Sequence, residues 1–147
     1  MDIVDYTDDL KDGVFSFTDE CFRGLGKAFE PEGRHSFYND IRSNFVAFKC
    51  LVEEDKVIGT VGLKKIDDVT VELKALYLDP DYRGRGLGTR LIDQAIDDAR
   101  KLGCKAIVLD SMSIYKDALK LYEKTGFVRT ERFNDNPCAD IFMRKDL

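Results

Sequence analysis

Apolar residues along this chain either alternate with polar ones or recur at helical spacing, and the switches between the two rhythms mark its elements. Asp2 to Tyr6 reads as a short first strand. From about Asp9 to Phe29, apolar side chains fall at Leu10, Val14, Phe17, Cys21, Phe22 and Leu25, the spacing of an amphipathic helix. Gly24 and Gly26 weaken that helix toward its end. Ser36 to Asn44 predicts a second, short helix with Ser36 as its cap. Phe45 to Glu53 and Val57 to Lys65 alternate around Glu54-Asp55-Lys56, which predicts a β-hairpin. Asp67-Asp68 then turns the chain into a further strand, Val69 to Leu78.

The second half begins with a long amphipathic helix, Thr89 to Leu102. It carries Leu91, Ile92, Ala95, Ile96, Ala99 and Leu102 on one face and stops at Gly103. Ala106 to Leu109 reads as a short buried strand, and Tyr115 to Thr125 as a helix closed by Gly126. Phe127 to Phe133 and Ala139 to Arg144 read as two last strands around Asn134-Asp135-Asn136-Pro137. No internal repeat, low-complexity tract or linker interrupts the order. The expectation is one domain over residues 1–147, of mixed α/β class.

Between the strand ending at Leu78 and the long helix lies Arg83-Gly84-Arg85-Gly86-Leu87-Gly88. A glycine-rich turn that leads from a strand into a helix is an anion site. The first helical amides lack intrahelical partners, and the helix dipole adds partial positive charge there. Glycine lets the backbone take positive φ and approach a ligand closely, while Arg83 and Arg85 add cations suited to phosphate oxygens. A Walker loop is excluded, because no Gly-Lys-Ser/Thr follows. The dinucleotide fingerprint is excluded as well. The spacing is Gly84-x-Gly86-x-Gly88, and the turn comes past mid-chain, although Asp110 could imitate the ribose-binding carboxylate.

Arg83-x-x-Gly86-x-Gly88 matches the Arg/Gln-x-x-Gly-x-Gly/Ala signature of the GNAT superfamily of N-acetyltransferases. Upstream, Glu72-Leu73-Lys74-Ala75-Leu76-Tyr77-Leu78-Asp79-Pro80 resembles that family's fourth strand. Downstream, Ala118-Leu119-Lys120-Leu121-Tyr122-Glu123-Lys124-Thr125-Gly126-Phe127 is similar to its Ala-x-x-Leu-Tyr-x-Lys-x-Gly-Phe helix. The resemblance implies an α+β fold, with a central, mostly antiparallel sheet of about seven strands flanked by four helices. It implies acetyl-coenzyme A as co-substrate and direct acetyl transfer to a primary amine of a small molecule, amino acid or peptide. Homodimers are common in the family.

The resemblance also implies site residues. Acetyl-coenzyme A would lie against Leu76, Tyr77 and Leu78, the turn Arg83, Gly84, Arg85, Gly86, Leu87, Gly88 and Thr89, and Tyr115 and Ala118 of the last helix. Glu72 stands where many members place a water-holding base, since an ammonium must lose a proton before it attacks. Tyr122 matches the tyrosine that hydrogen-bonds the coenzyme A sulfur, as general acid or sulfur ligand. A phenol's pKa lies above a thiol's, so it holds its proton where a thiolate forms. Tyr115 departs from the pattern, which usually has an asparagine there on the pantetheine arm. Ser111 or Ser113 could compensate.

Acceptor candidates come from less patterned segments: Phe29, Glu32, Arg34, His35, Phe37 and Tyr38, and the loop Phe133 to Pro137. Two rival readings keep the same cradle, one an acyltransferase for a longer acyl-coenzyme A and the other a non-catalytic coenzyme A sensor. The 147 residues, 44% hydrophobic and 35% charged, fit an ordinary globular domain. The net charge of −5 argues against nucleic acid and favours cationic acceptors such as amines. Met1 to Asp5 carries no secretory pattern, and no apolar run approaches the ~20 residues of a membrane span. Cys21, Cys50, Cys104 and Cys138 are scattered and His35 is alone, so no metal site is expected. These features together predict a cytoplasmic protein with reduced thiols.

Overall fold

The computed structural model describes residues 1–147. Strand β1 (Asp2–Asp5) precedes helix α1 (Lys11–Gly24) and the short α2 (Ile41–Asn44), which follows a 3₁₀ turn over Ser36–Asp40. Strands β2 (Ala47–Glu53), β3 (Lys56–Lys65) and β4 (Thr70–Leu78) lead into α3 (Leu87–Lys101). Strand β5 (Ala106–Ser111), α4 (Lys116–Lys124), β6 (Val128–Arg129) and β7 (Ile141–Asp146) complete the chain. The strands form one sheet in the order β1-β2-β3-β4-β5-β7-β6. Every pairing is antiparallel except β4 with β5. No helix is long and apolar enough to cross a membrane.

Both faces of the sheet are covered, so alternation sorts neighbouring side chains into two cores. On β2 and β3, Leu51 and Ile58 join α3 and α4 in one core, whereas Cys50 and Val57 join α1 and α2 in the other. The apolar stripe of α3 is buried as its spacing predicts at Leu91, Ile92, Ala95, Ile96 and Ala99, but Leu102 is 52% exposed. The helix has stopped by then. Gly103 donates to Arg100 O and Cys104 to Ala99 O, a Schellman closure that lifts Leu102 off the sheet.

Other boundaries moved for equally local reasons. Helix α1 ends at Gly24 rather than near Phe29, where Leu25 and Lys27 fold back to donate to Phe22 O. Ser36 caps nothing; Asp40 accepts from Ser43 N at the start of α2 instead. Strand β6 keeps only two residues of the expected Phe127 to Phe133 run. Beyond it Arg132 donates to the carbonyls of Asn134, Asn136 and Ala139 and bends the chain into a loop.

One break in the sheet shapes everything that follows. Strand β4 pairs with β5 only across Thr70–Glu72 and Ala106–Val108, although both strands run on. The outer edge of β5 stays paired with β7 as far as Ser111, so β4 and β5 diverge into a cleft at their C-terminal ends.

At the β2–β3 side of the sheet there is no spare room. A Cβ on Gly62 would lie 2.7 and 2.8 Å from the Phe45 ring and 3.0 Å from Phe48. Gly62→Ala is expected to cost about 1–3 kcal/mol by overpacking. A domain of this size then melts several degrees lower, at about 2–4 °C per kcal/mol; an unchanged melting temperature would contradict this packing.

Candidate active site

The glycine turn between β4 and α3 is held by backbone geometry. Asp79 accepts from Asp81 N, closing a 3₁₀ turn over Pro80–Tyr82. Gly84 and Gly86 then take φ of +79° and +74°, which an L side chain adopts only with strain. Gly86 is the N-cap of α3 and supplies no side chain to it. The first intrahelical bond recorded there runs from Arg90 N to Gly86 O. The amides of Leu87, Gly88 and Thr89 are left for an anion. Open space surrounds the Cβ positions of Gly84 and Gly86, so an extended phosphate group fits against the bare backbone. Arg85 lies 5.0 Å over the Tyr82 ring and Arg83 is exposed, both beside the turn. Gly88 serves packing: its Cβ would meet Leu121 at 3.0 Å, so it lets α3 and α4 approach.

Across the cleft, Tyr77 forms the wall on β4. Phe22 stacks edge-on against Tyr77 at 5.2 Å, and the Lys27 ammonium lies over both Phe22 (5.4 Å) and Tyr115 (5.0 Å). This ties the segment after α1 to the residue that precedes α4, across the mouth of the cleft. Tyr122 of α4 is 8% exposed, packs edge-on against Phe127, and has its pKa pushed up to about 12 by burial and then by Asp110. Ala118, one turn earlier, is half-buried against the α3-side core.

The α1-side face of the cleft holds the chain's buried charge, Glu72. Glu72 is 6% exposed on the sheet face opposite its core neighbours Val71 and Leu73. Burial raises its pKa, the Lys74 ammonium at 3.7 Å lowers it, and Asp110 raises it again; the net direction is upward. Asp110, on β5 between inward-facing Leu109 and the strand's end, shares this face by alternation. Asn134 Nδ2 donates to Asp110 Oδ2 at 2.7 Å and reaches Glu72 Oε2 at 3.4 Å, and Asn136 Nδ2 donates to the same Asp110 oxygen at 3.2 Å. The β6–β7 loop is built for this. Asn134 Oδ1 accepts from Asn136 N, Asn136 Oδ1 accepts from Cys138 N, and Arg132 holds the carbonyls from below.

The other acceptor candidates divide. Phe29, His35, Phe37 and Tyr38 gather into one aromatic wall, with Lys74 5.5 Å over Phe37. His35 Nδ1 accepts from Glu30 N and burial lowers its pKa, so it contributes a neutral ring. Arg34 pairs outward with Glu30 at 3.2 Å, and Glu32 is exposed. Ser113 donates through both its hydroxyl and its amide to Asp140, which ties the segment after β5 to the residue before β7. Asp110 and Lys74 were not among the sequence candidates for this side. Asp110 ends the apolar run Ala106–Leu109, and Lys74 follows Glu72 among the apolar residues of β4, which is the signal they left.

The acetyltransferase (GNAT) family matches residues 12–127. The chain belongs to this family. A probable N-acetyltransferase of Xenopus laevis, camello, is 40% identical over 112 residues, covering 74% of this chain and 51% of its own length. The uncharacterized N-acetyltransferase YsnE of Bacillus subtilis is 27% identical over 139 residues, covering 91% and 92%. The chain spans between 36% and 51% of the first curated relatives it matches. An acetyltransferase structure from Streptococcus agalactiae superposes with a TM-score of 0.89 at 24% identity, covering 99% and 98% of the two chains. The PaiA N-acetyltransferase of Thermoplasma acidophilum, solved in complex with coenzyme A, superposes with a TM-score of 0.73 at 19% identity over the full length of both. The mixed α/β GNAT fold with seven strands and four helices is the fold of this chain.

A carboxyl whose folded pKa exceeds its unfolded value favours the folded state at low pH, and that contribution is lost as pH rises through the folded pKa. Glu72→Gln keeps the shape and removes the buried charge. The variant is expected to melt higher than the parent at pH 7, with the gap closing as pH falls toward about 4.3, the unfolded value. Melting curves across that range that show no such convergence would contradict the burial argument.

Proposed function

We propose that this GNAT protein is an N-acetyltransferase that moves acetyl from acetyl-coenzyme A to a primary amine of a small molecule, amino acid or peptide. The observation that carries the reading is the positive-φ glycine turn that caps α3 with bare amides at the mouth of the β4–β5 cleft. Donor binding is assigned to Leu76, Tyr77 and Leu78 along the cleft wall, to the turn Arg83 through Thr89, and to Tyr115 and Ala118. The family match and the coenzyme A complex of a fold neighbour support that assignment. The longer-acyl and sensor readings keep the same cradle.

The proposed chemistry uses the split sheet. Glu72 lies on the α1 face and Tyr122 comes from the α3/α4 side, so base and sulfur ligand approach a thioester in the cleft from opposite faces. Glu72, ionised and desolvated, takes a proton from the acceptor ammonium directly or through water. A backbone amide near Leu76–Leu78 is the proposed donor to the developing oxyanion. For Tyr122 a magnitude decides the role. With a pKa of about 12 against about 8.5 for an ordinary thiol, full proton transfer to a thiolate is uphill by roughly 5 kcal/mol. Tyr122 is therefore assigned as a hydrogen-bond donor to the leaving sulfur, and the thiolate takes up the proton that the attacking nitrogen sheds as the tetrahedral intermediate collapses to the amide. Asp110 and Glu72 beside an aromatic wall favour a cationic acceptor, in keeping with the acidic chain.

Calorimetric titration with acetyl-coenzyme A, then thiol release over amino acids, polyamines, aminoglycosides and peptides, tests the whole reading. Binding with release on one class supports it; no binding sinks it. Gly86→Val is expected to weaken donor binding at least about a hundredfold, since a branched side chain strains the αL cap and fills the space beside it. Normal donor affinity in a folded Gly86→Val protein would remove the cradle. Tyr122→Phe is expected to lower turnover about ten- to a hundredfold, the worth of one hydrogen bond to a charged group, with little change in donor affinity. Unchanged turnover would strip Tyr122 of its role.

A further inference from the structure

Strand β4 contains a bulge that its sequence does not announce. Thr60 pairs with Tyr77 and Gly62 with Lys74, so the single residue Val61 of β3 faces two residues of β4, Ala75 and Leu76. Ala75 takes φ of +56°, a left-handed conformation that this kind of bulge normally reserves for glycine. An alanine there is strained, and something must hold it. The Thr60 side chain does so. Its residue is fully buried, and its Oγ1 donates to Ala75 O at 2.6 Å.

The bulge has two consequences. It shifts the alternation of β4: Leu73 and Leu76 pack on the α3 side, while Ala75 and Tyr77 pack on the α1 side. Tyr77 thereby shares the face of Glu72 and Lys74, although an unbroken strand would put residues 72 and 77 on opposite faces. It also sets the pairing of Tyr77 and Leu78 with Thr60 and Gly59, in the stretch of β4 beyond its last pair with β5.

We propose that Thr60 is a positioning residue for the donor site: its hydroxyl clamps the Ala75 carbonyl and so holds the bulge that presents the Leu76–Leu78 backbone to coenzyme A. The inference rests on the donor assignment above. Thr60 touches neither donor nor acceptor, and acts through Ala75. A valine at 60 has nearly the same shape but leaves the Ala75 carbonyl without its partner, so the strained corner is free to relax toward an unbulged register. Glycine at 75 removes the strain itself, and the bulge no longer needs the clamp.

The test is calorimetric binding of coenzyme A to the whole chain. Thr60→Val is expected to weaken binding about tenfold or more, Thr60→Ser to bind like the parent, and Thr60→Val/Ala75→Gly to regain parental affinity. Should Thr60→Val alone not fold, the double variant carries the test, because the clamp model requires it to fold and bind. Parental affinity in Thr60→Val, failure of serine to preserve binding, or failure of Ala75→Gly to restore it would each overturn the proposal. Gly86→Val separates the two levels. If it loses binding while Thr60→Val does not, the clamp alone is wrong; if it binds normally, the donor assignment is wrong.

Discussion

The parting of β4 from β5 is the constraint on which the rest of the molecule depends. Strand β4 is hydrogen-bonded to β3 along its length, and β5 to β7, yet the two strands join each other only up to Glu72 and Val108. A continuous ladder would seal the sheet and keep its two cores apart. With the ladder broken, side chains from both faces meet in one cleft: Glu72, Asp110 and Tyr77 from one side, Tyr122 from the other. Buried polar groups are costly unless they are hydrogen-bonded. The two amides of the β6–β7 loop supply that bonding to Asp110 and extend it toward Glu72.

The cleft is electrostatically two-ended. At one end a helix N-terminus, Arg83 and Arg85 favour anionic groups. At the other end Glu72 and Asp110 lie beside Lys74 and Lys64. The overall charge of −5 hides this division, because charge sums carry no positions. The Lys27–Tyr115 contact joins the segment after α1 to the residue that precedes α4.

Much of the fold was legible because it follows local rules. The hairpin, the buried stripe of α3 and the positive-φ turn at Gly84 and Gly86 each rest on periodicity or on glycine's freedom, and the sequence carries both. Boundaries were less legible. Leu102 keeps helical spacing after Ala99, yet the Schellman closure at Gly103 ends the helix before it can pack. Strand β6 stops after Arg129 because Arg132 satisfies three loop carbonyls, a set of contacts that no pairwise pattern in the chain displays.

The chain by itself determined its family, its sheet and helices, and the positive-φ glycine turn before α3, because these depend on residue type at fixed short spacing. Tertiary structure alone decided which charges became partners. Asp110 lies 38 residues from Glu72 and 24 from Asn134, and only the parallel β4–β5 pairing and the returning loop bring the three together. It also decided that Tyr77 shares a face with Glu72. That outcome turns on one extra residue in β4, an alanine held left-handed by a threonine on the neighbouring strand, and alternation read along the sequence gives the opposite answer.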